Sequence, residues 1–174
     1  MISNLNTITT PDEILQAYTP LFMFLGGSVS LSPAESSLPH LCDSGLLRNL
    51  PIENSNREYE KASRLLKSPC QYKSTCTMTV SANYDALLSE DNSPTAFPEA
   101  SRWFSNGTEP TEYREKLELL YRRYGYSREK ECTLQADHLG IQLLFINLMI
   151  EKYLTEDDYE IKGMIRNDLL AFIT

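Results

Sequence analysis

The apolar positions of the chain are densest in residues 137–154, which read DHLGIQLLFINLMIEKYL. No charged residue occurs between Leu139 and Ile150, and apolar side chains fall on every side of a helical wheel. A helix that is apolar all round is normally buried all round, and this uncharged run is shorter than the span of about 20 residues that crosses a bilayer. The pattern therefore predicts the buried central helix of a soluble, mostly helical domain, beginning at Asp137 and His138.

A first helix is indicated near the amino terminus. Residues 10–13 (TPDE) supply a cap residue, a proline in the first turn and a glutamate three residues after the cap. Apolar residues at helical spacing then predict one inward stripe, formed by Ile14, Tyr18, Leu21 and Leu25. We expect this helix to end at Gly26 and Gly27, with Pro20 kinking it or splitting it into two turns.

The middle of the chain predicts shorter helical segments. One runs from Ser32 toward Leu41 and a second precedes Pro51. Residues 56–67 have helical composition, and a proline follows them at position 69. Residues 76–88 combine threonines that favour a strand with alanines and leucines that suit a helix. We predict a helix there.

The remaining elements follow a loop over residues 89–110, which carries three prolines and an Asn-Gly turn. Thr108 is the expected cap of the next helix. Its predicted inward stripe is Tyr113, Leu117, Leu120 and Tyr124, and its charged outer face reads as a solvated surface. A run of polar residues at 155–158 predicts the start of a last helix, whose expected inward residues are Tyr159, Ile161, Ile165, Leu169 and Phe172. These patterns together predict an all-α fold, with six to eight helices in a single domain over residues 1–174.

Charge and cysteine content limit the partners and the cellular location that the chain is expected to have. The 16 basic and 24 acidic residues give a net charge of −8, which argues against nucleic acid as a partner. The start of the chain lacks a secretory signal pattern, and the four cysteines include no CxxC pair. We therefore expect a cytoplasmic protein with reduced thiols and no stable membrane insertion.

Enzyme motifs are absent: the sequence has no phosphate-binding Gly-rich loop, no GxGxxG and no GxSxG. With only His40 and His138, a histidine-rich metal hydrolase is disfavoured, and no cysteine sits in a recognisable catalytic context. Two readings of Asp137 and His138 stay open, a helix cap with a buried core histidine or a functional pair. Trp103 likewise reads either as a core residue or as a binding platform.

The order of several motifs resembles the TorD/DmsD/NarJ family of redox-enzyme maturation chaperones. Residues 84–88 read YDALL, a proline-containing loop leads to Ser101-Arg102-Trp103, and a tyrosine-rich helix precedes Asp137-His138-Leu139-Gly140. The chain departs from the family pattern at residues 88–91, where Leu, Glu and Asp replace Phe and Gly-Pro. At residues 134–136 the chain reads Leu-Gln-Ala, where the family has Glu-Pro and one variable residue. At Ala100 the family has a glutamate, which only the neighbouring Glu99 can supply.

The resemblance implies an all-helical, non-enzymatic chaperone. Members bind the twin-arginine signal peptide and the apo-form of a molybdopterin enzyme, here expected to be of the dimethyl sulfoxide reductase type. The signal-peptide site implied by the resemblance comprises Tyr84, Leu87, Leu88, Glu99, Ser101, Trp103, Asp137, His138 and Gln142. We hypothesise a groove with Asp137 among its rim residues and His138 at its floor. The alternatives are a helical interaction module for another exported redox subunit and, more distantly, an enzyme using His138 as acid or base.

The resemblance also bears on assembly. Domain-swapped dimers occur in the family, and residues 105–110 are the expected hinge between residues 1–104 and 111–174, so the chain is expected to be a monomer or a swapped homodimer. Family members usually continue for about one more helix after the position of Thr174. The chain is therefore expected to be a divergent, short member, or its last helix is either missing or supplied by another copy. No phosphate-binding loop is visible in the sequence, so neither guanine nucleotide nor molybdopterin is predicted as a cofactor.

Overall fold

The computed structural model of this chain describes residues 10–32, 56–67, 73–88, 96–103, 109–128 and 132–174. Within these ranges the backbone forms six α-helices and one 3-10 turn. The helices are α1 (Pro11–Ser30), α2 (Arg57–Lys67), α3 (Lys73–Leu88), α4 (Pro110–Arg123), α5 (Leu139–Thr155) and α6 (Tyr159–Ile173), and the turn is Ala100–Trp103. The described residues contain no strand and only one isolated antiparallel bridge, between Glu99 and His138.

The all-α prediction is therefore confirmed. The two short helices expected before Pro51 lie outside the described residues, as does most of the hinge expected at residues 105–110. The hinge and its two-part division of the chain stay predictions.

Helix α5 is the buried central helix that its apolar pattern predicts. Phe145 is fully enclosed and lies among aromatic rings, with centroid distances of 4.6 Å to Tyr121, 5.1 Å to Phe172 and 5.6 Å to Tyr126. The core of the described chain comprises Leu117, Tyr121, Ala136, Ile141, Phe145, Ile146, Met149, Ile150, Ile165 and Leu169. The core is thus built by α4, α5, α6 and the residues that precede α5.

Helix α1 confirms the predicted start but corrects the predicted end. The backbone N–H of Glu13 donates to Thr10 Oγ1 at 3.2 Å, and the Thr10 N–H donates to the Glu13 carboxylate at 2.9 Å. The helix then continues through Pro20 without a break and ends at Ser30 instead of Gly26. Gly26 is not a terminator because it is where α1 crosses α5. A Cβ on Gly26 would lie 2.8 Å from Leu144 Cγ and 3.1 Å from the Gly140 carbonyl oxygen.

The face that α1 presents to the core also differs from the prediction. Leu15 and Phe22 pack against the core cluster, and Gly26 continues the same face. Two residues of the predicted stripe, Ile14 and Leu25, are exposed to 46% and 38%. The stripe was wrong because the glycine, and not the larger apolar residues, sets the closest approach of the two helices.

Helices α4 and α6 follow their predicted patterns in part. The cap of α4 is Glu109, one residue after the predicted Thr108, and the helix begins at Pro110. Its predicted stripe is confirmed, although the most deeply buried residue is Tyr121. In α6 the predicted residues Ile165, Leu169 and Phe172 face the core.

Two predicted inward residues of α6 were wrong. Tyr159 is 89% exposed and Ile161 is 47% exposed. Burial in α6 begins only at Ile165, because the packing against α5 involves the later turns, where Phe172 contacts Phe145. The start of α6 is fixed instead by Asp158, whose carboxylate accepts from the N–H groups of Glu160 and Ile161 at 2.9 and 3.0 Å.

Candidate functional site

Residues 96–103 lie against the amino-terminal end of α5. The Ala100 N–H donates to the Asp137 carbonyl at 3.0 Å, and the Leu139 N–H donates to the Pro98 carbonyl at 2.7 Å. These two bonds flank the bridge between Glu99 and His138. At the start of the segment, the Ala96 N–H donates to the Leu87 carbonyl at 3.1 Å, which joins it to the end of α3. The segment therefore connects α3 to the beginning of the central helix.

Asp137 is the polar centre of this junction. It is completely buried, with 0% exposure. One carboxylate oxygen accepts from the Ser101 N–H at 3.0 Å, and the other accepts from Arg114 Nε at 2.9 Å. Arg114 also donates from Nη2 to Ser101 Oγ at 3.1 Å. One carboxylate thereby ties together the 3-10 turn, helix α4 and the residues before α5.

The environment of Asp137 favours its ionised form. Burial alone raises the pKa of this carboxyl, but the hydrogen bonds from Ser101 and the Arg114 guanidinium outweigh burial and lower its pKa below the ordinary value. A group whose pKa is lowered by folding stabilises the folded state above its unfolded pKa of about 3.9. This stabilisation is lost as the pH falls through the pKa of the folded state.

His138, and not Asp137, caps the central helix. Its Nδ1 accepts a hydrogen bond from the Gly140 N–H at 3.1 Å, which requires this nitrogen to be unprotonated. The prediction that Asp137 is the cap was wrong because its carboxylate turns away from the helix to Ser101 and Arg114. Two further bonds fix this turn: Gln142 Nε2 donates to the Asp137 carbonyl at 2.7 Å, and the Tyr121 hydroxyl donates to the Ala136 carbonyl at 2.7 Å.

The opposite side of residues 96–103 is open to solvent. Trp103 is 66% exposed, yet its indole N–H donates to the Phe97 carbonyl at 2.9 Å. The guanidinium carbon of Arg102 lies 4.9 Å from the centroid of the Phe97 ring. Leu87 and Phe97 are themselves exposed to 50% and 39%. We call Leu87, Phe97, Arg102 and Trp103 the exposed face. Because Trp103 is exposed, its interpretation as a core residue is wrong.

The other residues of the predicted site occupy different positions. Glu99 is buried, with 8% exposure, and no group in the described ranges bonds to its carboxylate. Tyr84 is half-buried, and its hydroxyl donates to the Val29 carbonyl at 3.3 Å, which links α3 to the end of α1. Leu88 is half-buried.

The structure thus gathers five of the nine predicted residues at the head of α5, namely Glu99, Ser101, Asp137, His138 and Gln142. Leu87 and Trp103 belong to the exposed face, and Tyr84 contacts α1.

Sequence reasoning missed Arg114. It belongs to the charged face of α4 that the pattern marks as solvated, and nothing in the sequence separates it from Arg122 or Arg123 on the same helix. Its role becomes visible only when the fold buries Asp137 beside it.

No group of three or more His, Cys, Asp or Glu residues in the described ranges is arranged to hold a metal ion. Among the described helices, none combines the length and apolarity that a membrane span requires.

Comparison with known proteins places the chain in a family. The family model described as nitrate reductase delta subunit matches residues 52–174, and this range contains the whole candidate site. No curated protein and no solved structure matches the chain significantly. Since the match covers well over half of the sequence, the chain belongs to the nitrate reductase delta subunit family. This confirms the resemblance to the TorD/DmsD/NarJ chaperones, a family of molybdoenzyme maturation chaperones and not of catalysts.

Proposed function

We propose that this member of the nitrate reductase delta subunit family binds the twin-arginine signal peptide of a molybdopterin-dependent oxidoreductase. The client is the apo-form of a catalytic subunit of the dimethyl sulfoxide reductase type, held in the cytoplasm until its cofactor is inserted and export can proceed. The chain acts by stoichiometric binding and not by turnover, as a monomer or as a domain-swapped homodimer.

The observation that carries this proposal is the exposed, oriented indole of Trp103. Tryptophan is among the residues that contribute most to the binding energy of interfaces, because it buries a large area and loses little conformational freedom. The hydrogen bond to Phe97 already fixes the ring, so little ordering remains to be done when a partner binds. Leu87 and Phe97 extend the apolar area beside it. The apolar stretch of a signal peptide fits such a surface.

The buried polar junction around Asp137 supports the exposed face. Asp137 and Ser101 are buried and bonded to each other and to Arg114, and the buried His138 caps α5, so these residues hold residues 96–103 against the head of α5. A recognition segment that is anchored on a rigid element presents its side chains in a defined geometry. In this proposal Gln142 belongs to the support, while Tyr84 and Leu88 fix the position of α3 beside the exposed face.

The test is a titration of the purified protein with twin-arginine signal peptides from the molybdoenzymes of its host. Each peptide is compared with a version in which both arginines are replaced by lysine. Trp103→Ala is expected to weaken binding by about tenfold or more. Tyr159→Ala is the matched control, because Tyr159 is an exposed aromatic residue on α6, outside the site.

The outcomes separate the candidate functions. Weaker binding of the lysine peptides together with an effect of Trp103→Ala supports the chaperone proposal. Equal binding of both peptides favours an interaction module that recognises only apolar sequence. If no peptide binds the wild-type protein, the client assignment is wrong.

A further inference from the structure

We infer that Glu99, and not Asp137, is the carboxylate that receives an arginine side chain of the client. This inference rests on the proposed function and names the residue that gives the site its preference for arginine. It divides the two acidic residues of the junction between two roles. Asp137 is a positioning residue whose charge is used inside the chain, and Glu99 is the residue that contacts the peptide.

Asp137 is not available to a ligand. Its side chain has no exposed surface, and each of its carboxylate oxygens already accepts a short hydrogen bond. The Arg114 guanidinium balances its charge at 2.9 Å. A client arginine would have to displace Arg114 and separate the Ser101 N–H from the carboxylate. That exchange gains no new interaction, because one guanidinium only replaces another.

Glu99 has the opposite properties. It is 8% exposed, but no hydrogen bond or ion pair to its carboxylate exists in the described ranges. Neither of its oxygens is among the completely enclosed side-chain atoms of the described residues that lack a hydrogen-bond partner, so the carboxylate retains some contact with solvent. A mostly buried carboxylate to which no described residue bonds has lost much of its hydration without a hydrogen bond in return. A cation that reaches it therefore restores more interaction energy than one that meets an exposed carboxylate.

The surroundings of Glu99 favour a guanidinium over other cations. The cation expected at this carboxylate is the one that the proposed client carries, an arginine guanidinium. A guanidinium pairs with a carboxylate through two hydrogen bonds and stacks on aromatic rings, whereas an ammonium does neither as well. The same segment already stacks one guanidinium, since Arg102 lies over the ring of Phe97. Trp103 offers a further exposed aromatic surface four residues from Glu99.

The backbone at Glu99 is preorganised for this task. The two bonds on either side of it, from Ala100 to Asp137 and from Leu139 to Pro98, fix its main chain against the head of α5. Arg114 acts through Asp137 and Ser101 to keep the adjoining turn in place. The buried ion pair thus sets the position of Glu99 without contacting the peptide.

The experiment measures the affinity of three peptides that carry Arg-Arg, Lys-Lys or Gln-Gln at the twin-arginine position. Each is titrated into the wild-type protein, Glu99→Gln, Asp137→Asn and Glu115→Gln, at a temperature where circular dichroism shows all four to be folded. Glu115 is an exposed acid on α4, so its variant is a control with the same change of net charge. Glu99→Gln is expected to weaken Arg-Arg binding by about tenfold to a hundredfold. It is expected to leave Gln-Gln binding unchanged.

Asp137→Asn is expected to lower the stability of the fold while keeping the ratio of Arg-Arg to Lys-Lys affinity. The inference is overturned if Asp137→Asn removes that ratio and Glu99→Gln preserves it, or if Glu99→Gln acts no more strongly than Glu115→Gln. In both cases the wild-type protein still binds the peptides, so the proposed function stands. A wild-type protein that binds none of the three peptides overturns the proposed function together with this inference.

Discussion

The two parts of the described chain differ in what they bury. The carboxy-terminal part, from Leu117 to Leu169, buries ten hydrophobic side chains, together with Gly140 and the polar residues Asp137, His138 and Asn147. In the amino-terminal part, up to Trp103, the buried residues are Gly26, Ser63, Glu99 and Ser101. The first part is thus held mainly by apolar burial. The second part is attached by α1, whose Leu15 and Phe22 pack on that core and whose Gly26 crosses α5 closely, and by a set of polar bonds.

Large apolar side chains of the amino-terminal part are exposed. Met78, Leu87 and Trp103 are exposed to 73%, 50% and 66%, and none of them belongs to the core cluster. Stability is therefore expected to reside mainly in α4, α5 and α6. The recognition surface is expected to depend on a few contacts of defined geometry.

The strongest test of this division is Phe145→Ala. Phe145 is fully buried among four aromatic rings, so the variant loses apolar burial and leaves a cavity. We expect a loss of about 3–5 kcal/mol in the free energy of unfolding, measured by urea denaturation. Trp103→Ala, an exposed aromatic in the other part, is expected to change it by about 0.5 kcal/mol or less. Similar losses in the two variants would contradict the comparison.

The attachment of the amino-terminal part is tested next, with Arg114→Ala. This variant leaves the buried Asp137 carboxylate without its countercharge, and we expect a loss of about 2–4 kcal/mol in the free energy of unfolding. This expected loss in stability is smaller than the loss for a fully enclosed ion pair, because the Arg114 side chain is 31% exposed.

The control for this prediction is Arg122→Ala on the same helix, because Arg122 is exposed and has no ion pair in the described structure. A charge effect spread over the whole helix would give both variants the same stability. A local pair with Asp137 gives a large difference between them. Adding Asp137→Asn to Arg114→Ala is expected to recover part of the loss, since the unpaired charge is then removed.

Features that depend on nearby residues could be predicted from the sequence, whereas features that depend on contacts between distant helices could not. Helix starts depend on side chains within four residues, so the Thr10 cap and the buried α5 could be predicted. The inner face of α1 could not, because it depends on where another helix crosses. Gly26 and Gly27 look alike in the sequence, yet only Gly26 meets α5.

The candidate site, too, could be predicted only in part from the sequence. The motif residues at the head of α5 could be identified from their order in the chain, and the structure brings most of them together. Their individual roles could not be identified, because Asp137 and Glu99 are distinguished by the position of Arg114, which lies 23 residues before Asp137. Which of the two carboxylates is bonded within the described part of the chain depends on the packed structure alone.

The smallest expected effect concerns the helix crossing itself, through the neighbouring pair Gly26→Ala and Gly27→Ala. A Cβ at Gly26 would lie 2.8 Å from Leu144 Cγ, so overpacking is expected to exceed the gain in helix propensity by about 1 kcal/mol. At Gly27 no atom lies within 4 Å of the added Cβ, and a gain of about 0.4–1 kcal/mol is expected. Thermal denaturation of the two variants gives the sign of each effect. If both alanines stabilise the protein, α1 does not depend on a close approach to α5, and the attachment of the amino-terminal part must rest on the polar junction and on the packing of Leu15 and Phe22.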